Sequence, residues 1–122
     1  MSKSTIEPEE PAGVILVFTN PAPGSEAEYN DWYTQTHAVE IVSAVDGISG
    51  VRRFRVNPAA GVPDGSAHSY LAIYELSEPV EVVFPRLAAA SPGLTKSATL
   101  DTLATPPMLV AYDAITERIA AV

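Results

Sequence analysis

The sequence predicts an α+β fold of the ferredoxin-like type. Its order is βαββαβ, a four-stranded antiparallel sheet with both helices on one face. Three observations predict it. Four short segments rich in β-branched or alternating apolar residues, at 13–19, 50–56, 69–76 and 108–115, are bounded by proline and glycine. A stretch with helical spacing follows the first of them and another follows the third. The length of 122 residues, 47% of them hydrophobic, suits one domain with a real core.

Residues 1–12 are polar, carry Pro8 and Pro11, and read as a flexible lead-in to a single domain over 13–122. The first strand, GVILVFT (13–19), is stopped by Asn20-Pro21. Its run of consecutive apolar residues predicts cover on both faces. Pro23-Gly24-Ser25 turns the chain into a helix. Ser25 and Glu28 have the spacing of a capping box, which would satisfy free backbone donors at the helix start. That helix runs from Glu26 to about His37 and, after a bend, can continue through 39–45 until Asp46-Gly47 closes it.

The second strand, GVRRFRV (50–56), places Val51, Arg53 and Arg55 on one face and Arg52, Phe54 and Val56 on the other. Residues 57–66 form a connection rich in proline and glycine. In SYLAIYEL (69–76), Tyr70, Ala72 and Tyr74 alternate with Leu71 and Ile73. The second helix opens at Ser77-Glu78-Pro79. Val80, Val83, Phe84, Leu87 and Ala88 make its apolar face, and Pro85 within it predicts a kink or a split. Residues 94–107 read as a loop with a short helical piece, and MLVAYDAI (108–115) as the last strand. With the helices on one face of the sheet, Val51, Tyr70, Ala72 and Tyr74 are expected on the other. They suit burial better than water, so a second copy of the chain is expected to cover them, as a homodimer.

Charge narrows the partners. Seven basic residues stand against 15 acidic ones, for a net charge of −8. Nucleic acid and anionic membrane both call for a positive surface, so neither is expected. There is no cysteine, hence no disulfide or thiolate nucleophile. No apolar run approaches the length of a membrane span and the first residues lack the pattern of a signal peptide, so a cytoplasmic protein is expected. NPAPGSE after the first strand is neither a GxGxxG nor a Walker loop, and no G-x-S-x-G is present. No cofactor is expected.

The stretch NPAPGSEAEYNDWYTQTHAVEIVSAVDGISGVRRFRV (20–56) resembles the N-terminal half of EthD-like proteins of the dimeric α+β barrel superfamily. The matching features are Asn20-Pro21, then Glu28-Tyr29-Asn30-x-Trp32-Tyr33, His37 at the helix end, a glycine turn and an Arg-Phe strand. Tyr70-Leu71-x-x-Tyr74-Glu75 fits as well. The sequence departs from that pattern at Ala38 and Asp46, where such proteins often have proline. The resemblance implies a homodimer whose two sheets close into a barrel, with a ligand pocket between each sheet and its helices or in the barrel mouth. Relatives implied by it include cyclases, dehydratases, cofactor-free monooxygenases and members with no known activity.

His37 is the leading catalytic candidate, since an imidazole moves protons near neutrality without help. It can equally be a helix-end histidine interacting with the C-terminal dipole. Tyr33 lies one turn before it and could hydrogen-bond it; Asn30, Tyr33 and His37 share one helical stripe. Trp32 lies beside that stripe; it and Tyr29 read first as core anchors. Glu40, one turn beyond His37, could raise its pKa or be solvated. Arg53, with Arg52 and Arg55, could hold a carboxylate or an enolate oxygen, or pair with Glu75 or Asp113. Asn30, Trp32, Arg53, Tyr70 and Tyr74 are the substrate-binding candidates. Tyr112 and Asp113 could also face a barrel, and alternation does not decide between them. His68 is expected to be exposed, and no spacing supports a metal site.

Together these readings predict a cofactor-independent lyase, isomerase or cyclase acting on a hydrophobic aromatic or polyketide-like molecule, with a histidine acid/base. The alternatives are a cofactor-free monooxygenase and a non-catalytic dimer that binds a hydrophobic metabolite.

Overall fold

A computed structural model describes residues 11–62 and 68–121. The expected flexible lead-in falls almost wholly outside the described residues, as does 63–67 of the expected connection. Ala12 does not belong to a loose lead-in. Its N–H donates to the Leu76 carbonyl at 2.7 Å, and its carbonyl accepts from Ala114 at 2.9 Å.

The elements are β1 (Gly13–Thr19), α1 (Glu26–Trp32), a π-helical turn (Tyr33–His37), α2 (Ala38–Ala44), β2 (Ile48–Arg55), β3 (Tyr70–Leu76), α3 (Val80–Ala90) and β4 (Met108–Asp113). All strand pairs are antiparallel and the sheet order is β2-β3-β1-β4. This is the ferredoxin-like α+β arrangement that the element order predicts.

The faces of the sheet are assigned the other way round from the expectation. Tyr74 lies opposite Ile15 on β1 and Val51 on β2. All three therefore share the helix side, together with Tyr70, Ala72 and Leu76. The opposite face carries Val14, Leu16, Phe18, Leu71 and Ile73, all half-buried, with Phe54, Met108 and Tyr112 exposed. The cause is β1 itself: it is apolar on both faces, so it sets no phase for its neighbours. An apolar open face remains, made of different residues. Register also resolves β4: Tyr112 lies opposite Val14 on the open face, and Asp113 opposite Gly13 on the helix side.

The core is a sandwich of Ile15, Tyr74 and Leu76 from the sheet with Tyr29, Tyr33, Ile41 and Val83 from the helices. Burying each of these large side chains contributes about 1.5–3 kcal/mol. The capping box does not form. Ser25 makes no side-chain cap bond, and its ψ of 18° is not the extended conformation that a cap residue needs. The Gly24 turn closes the start through backbone instead, from Ser25 N–H to the Ala22 carbonyl at 3.0 Å. Gly47, with φ at +96°, closes the far end of α2; a Cβ there would lie 2.7 Å from Val83 Cγ2.

β2 begins at Ile48, earlier than expected, with an irregularity between Ile48 and Gly50. Pro85 sits inside α3 without dividing it. It is exposed, as is Glu81, whose carbonyl loses its helical partner and can turn to water. Only Val83 and Leu87 of the α3 face are fully inside, while Phe84 and Ala88 are exposed. Residues 94–107 contain no helix; the helical turn lies just before them, at Ser91–Gly93. Asp101 organises that loop. Its carboxylate accepts from the N–H groups of Leu103, Ala104 and Thr105 and from Thr105 Oγ1 at 2.8 to 3.1 Å. These bonds hold its pKa down to about 2.

Candidate functional site

The expected single stripe of Asn30, Tyr33 and His37 is divided into two clusters that meet at Tyr33. The first is built around Arg53. On β2 it faces the helices, and its side chain crosses to α1. Its Nη2 donates to Asn30 Oδ1 at 2.8 Å, and its Nη1 to Thr34 Oγ1 at 2.7 Å and the Asn30 carbonyl at 3.4 Å. Three tyrosine rings surround the guanidinium carbon, Tyr33 at 4.6 Å, Tyr29 at 5.4 Å and Tyr70 at 5.7 Å. Such contacts stabilise a cation without neutralising it. Asn30 Nδ2 donates to the Tyr70 hydroxyl at 3.2 Å, which in turn donates to the Glu26 carboxylate.

Arg53 forms no ion pair with Glu75 or Asp113. Glu75 lies on the open face, and Asp113 is on β4, at the opposite edge of the sheet. Arg52 turns to the open side and lies over the Phe54 ring at 5.7 Å.

The second cluster is Trp32, Tyr33 and His37. The π-helical turn brings Trp32 and His37 into a stack, ring centroids 4.5 Å apart and 22° between planes. Tyr33 meets the His37 ring edge-on, at 4.8 Å and 86°. The expected Tyr33–His37 hydrogen bond is absent; the Tyr33 hydroxyl instead accepts from Tyr74 at 3.5 Å. Burial, with the neighbouring Tyr74 adding to it, pushes the Tyr33 hydroxyl far up; burial pushes Tyr74 up to about 12.

His37 is half-buried and its pKa is lowered. Desolvation is the largest cause. Glu40 acts the other way, as expected, but is outweighed, and Lys96 adds to the lowering. Glu40 is itself held by the Thr95 N–H at 2.9 Å and hydroxyl at 2.6 Å. Two ring atoms in this cluster, Trp32 Nε1 and His37 Nδ1, are buried without a hydrogen-bond partner among the described residues.

An apolar groove of about 470 Å³ runs between α2 and β2, with Ala38, Val39 and Val42 on one side, Val51 on the other, and Thr34 and Arg53 at one end. On the far side of Arg53 lies a recess of about 300 Å³ bordered by Asn30, Phe54, Arg55 and Tyr70. His37 lines neither; Trp32 borders a separate open recess on the outer side of α1. Tyr74 is wholly inside the core. His68 is half-buried rather than exposed, its Nε2–H donating to the Pro106 carbonyl at 2.8 Å. Among the described residues, no group of three or more His, Asp or Glu side chains is placed to hold a metal. No described helix is long and apolar enough to cross a membrane.

Sequence reasoning missed Glu26 and Thr34 as members of the Arg53 cluster. Their helical offset from Asn30, four residues on either side, was the available signal.

No known protein-family model matches the chain. It is similar to Core atranone cluster (CAC) protein 1 of Stachybotrys chlorohalonatus (strain IBT 40285), at 35% identity over 68 residues. The match covers 54% of this chain and 26% of that protein, so the chain spans about a quarter of its relative. In structure it is similar to NE2512, a protein of unknown function from Nitrosomonas europaea. The TM-score is 0.51 at 14% identity, over 93% of this chain and 99% of that one. That likeness shows a shared fold.

Proposed function

We propose that the chain is an EthD-like member of the dimeric α+β barrels. In this reading it binds a hydrophobic, oxygen-bearing small molecule and moves one of its protons through His37, in a lyase, isomerase or cyclase type of reaction that needs no cofactor. The observation that carries the reading is the stacked pair of Trp32 and His37 with their unpartnered ring nitrogens. Leaving a buried donor unpaired costs roughly 1–3 kcal/mol. A ligand oxygen offsets that cost by accepting from the indole N–H and exchanging a proton with the imidazole. Burial keeps His37 neutral near pH 7, the form in which it acts as a base. Tyr33 is a positioning residue, fixing the imidazole edge-on.

The relative named for an atranone cluster supports small-molecule work. The apolar open face, with Leu16 and Ile73 at its centre, supports closure by a second copy. That His37 lines neither cavity beside Arg53 favours a second reading, a dimer that holds a hydrophobic metabolite without turning it over.

Trp32 is the only tryptophan, so its indole N–H gives a single signal in a proton–nitrogen correlation spectrum. Titration with a panel of phenols and β-dicarbonyl compounds should move that signal, and the bound compound should change mass or spectrum with wild type and not with His37→Gln. A panel that leaves the indole signal in place removes the site. Turnover that survives in His37→Gln removes the base. A mass gain of oxygen reassigns the reaction to cofactor-free monooxygenation.

A further inference from the structure

We infer that the ligand is a hydrophobic monocarboxylate, with its apolar body in the groove between α2 and β2 and its carboxylate on Arg53. The inference rests on the small-molecule reading above but on neither His37 nor the dimer.

Charge is the first observation. The chain has 15 acidic residues against seven basic, yet Arg53, half-buried, has no carboxylate within ion-pair distance among the described residues. The ion pair found among them joins Arg86 to Glu78. The nearby Glu26 is engaged by the Tyr70 hydroxyl. Every partner of Arg53 is neutral: Asn30, Thr34 and three tyrosine rings. These partners orient the guanidinium and leave its charge uncancelled. A stranded charge of this kind, in a protein with carboxylates to spare, marks a place for an anion from outside.

Donor geometry is the second. A guanidinium has five N–H groups. Nη1 makes two bonds and Nη2 one, and the Tyr29 hydroxyl also accepts from the guanidinium, so one of the five N–H groups is left. That group can donate a charge-assisted hydrogen bond to one oxygen of a carboxylate.

The third is the groove that leads there. Its walls are Ala38, Val39, Val42 and Val51, its volume is about 470 Å³, and its polar end is Thr34 with Arg53. An apolar channel that ends on a cation selects an amphipathic acid over a neutral lipid or a polar metabolite. Arg55 borders the recess beyond, on the same face of the sheet as Arg53, so two of the seven basic residues gather at this position.

The test is isothermal titration calorimetry of the full chain with naphthoate, its neutral isostere naphthamide, and decanoate. Naphthoate should bind about tenfold or more tighter than naphthamide, and Arg53→Gln should level the two. Val39→Glu, at an exposed groove wall, keeps Arg53 and its contacts and should weaken naphthoate and decanoate about tenfold or more by placing a like charge in their path. Equal affinity for acid and amide in the wild type overturns carboxylate recognition and leaves the small-molecule reading intact. Unchanged acid binding in Val39→Glu, or binding of none of the three compounds, overturns the groove as the site. The Trp32 indole titration decides the other reading separately.

Discussion

Trp32 and His37 lie five residues apart in one continuous helix, and their rings stack at 4.5 Å. In a regular α-helix, residues five apart point about 140° away from each other. The π-helical turn over Tyr33–His37 removes that divergence by fitting an additional residue into the turn. The helix then resumes in phase, so that Tyr29 before the turn, Tyr33 at its start and Ala38 and Ile41 after it all reach the core. The wide turn yields a stacked pair of rings, each with a buried nitrogen that has no partner among the described residues.

Deleting the exposed Gln35 should therefore convert the wide turn to an α-helical one, with the core registers on either side kept. The expected outcome is a folded protein with a near-native far-ultraviolet circular dichroism spectrum and no Trp32–His37 stack. The stack is read through the single tryptophan: protonated imidazole quenches stacked indole, so wild-type fluorescence should fall on acidification and the variant's should not. Retained quenching in the deletion variant would mean that some other feature pairs the rings.

Burial lowers the pKa of His37 in the folded chain below its ordinary value of 6.5. As pH falls through about 6.5 the unfolded chain takes up a proton before the folded one does, so stability decreases on acidification. It stops decreasing from this source once the folded His37 also titrates. His37→Gln should show a smaller loss between about pH 7.5 and 5.5 in urea midpoints than wild type does. By the same sign, any turnover that uses His37 as a base should fall on the acid side, with an apparent pKa below 6.5. Equal acid sensitivity in both proteins would mean that His37 titrates freely.

Much of the fold was legible because local signals agreed with one another. Proline and glycine punctuation located β1 and α3, and the alternation in β2 correctly set Arg53 against Arg52. The sheet faces were not legible. β1 is apolar on both sides, and only pairing of Tyr74 with Ile15 shows that the tyrosines lie under the helices. Of the site, the residue types were readable and their grouping was not. Helical spacing at 3.6 residues per turn placed His37 with Asn30, whereas the wide turn places it with Trp32. The partners of Arg53 depend on β2 packing against α1, a long-range contact that no local spacing encodes.

Tyr33 and Tyr74 share a buried contact at 3.5 Å, and burial pushes Tyr74 up to about 12. Because the unfolded tyrosine ionises near 10, the unfolded chain loses its proton first as pH rises, and stability falls from about pH 10 toward 12. Tyr74→Phe should reduce that alkaline loss, measured by urea midpoints at about pH 9 and 11, while Tyr33 retains the rest. At neutral pH the long contact is weak, so the variant should differ from wild type by less than about 1 kcal/mol. An unchanged alkaline profile would show that Tyr74 reaches solvent when ionised.

The open face of the sheet predicts the oligomer. Leu16, between Ile73 on β3 and Val110 on β4, sits at its centre. A face built from Val14, Leu16, Phe18, Leu71 and Ile73 is apolar enough to associate, and a self-complementary pair of such faces closes on a two-fold axis. Sedimentation should give twice the 12.9 kDa mass of the chain. Leu16→Glu places two like charges at the centre of that interface, where neither has a partner, and should shift the protein to monomer with its secondary structure retained. Because the helix-side core is untouched, loss of the dimer should leave the Arg53 contacts and the Trp32–His37 stack in place. Wild type that sediments as a monomer at micromolar concentration would leave the sheet uncovered and rule out the closed barrel.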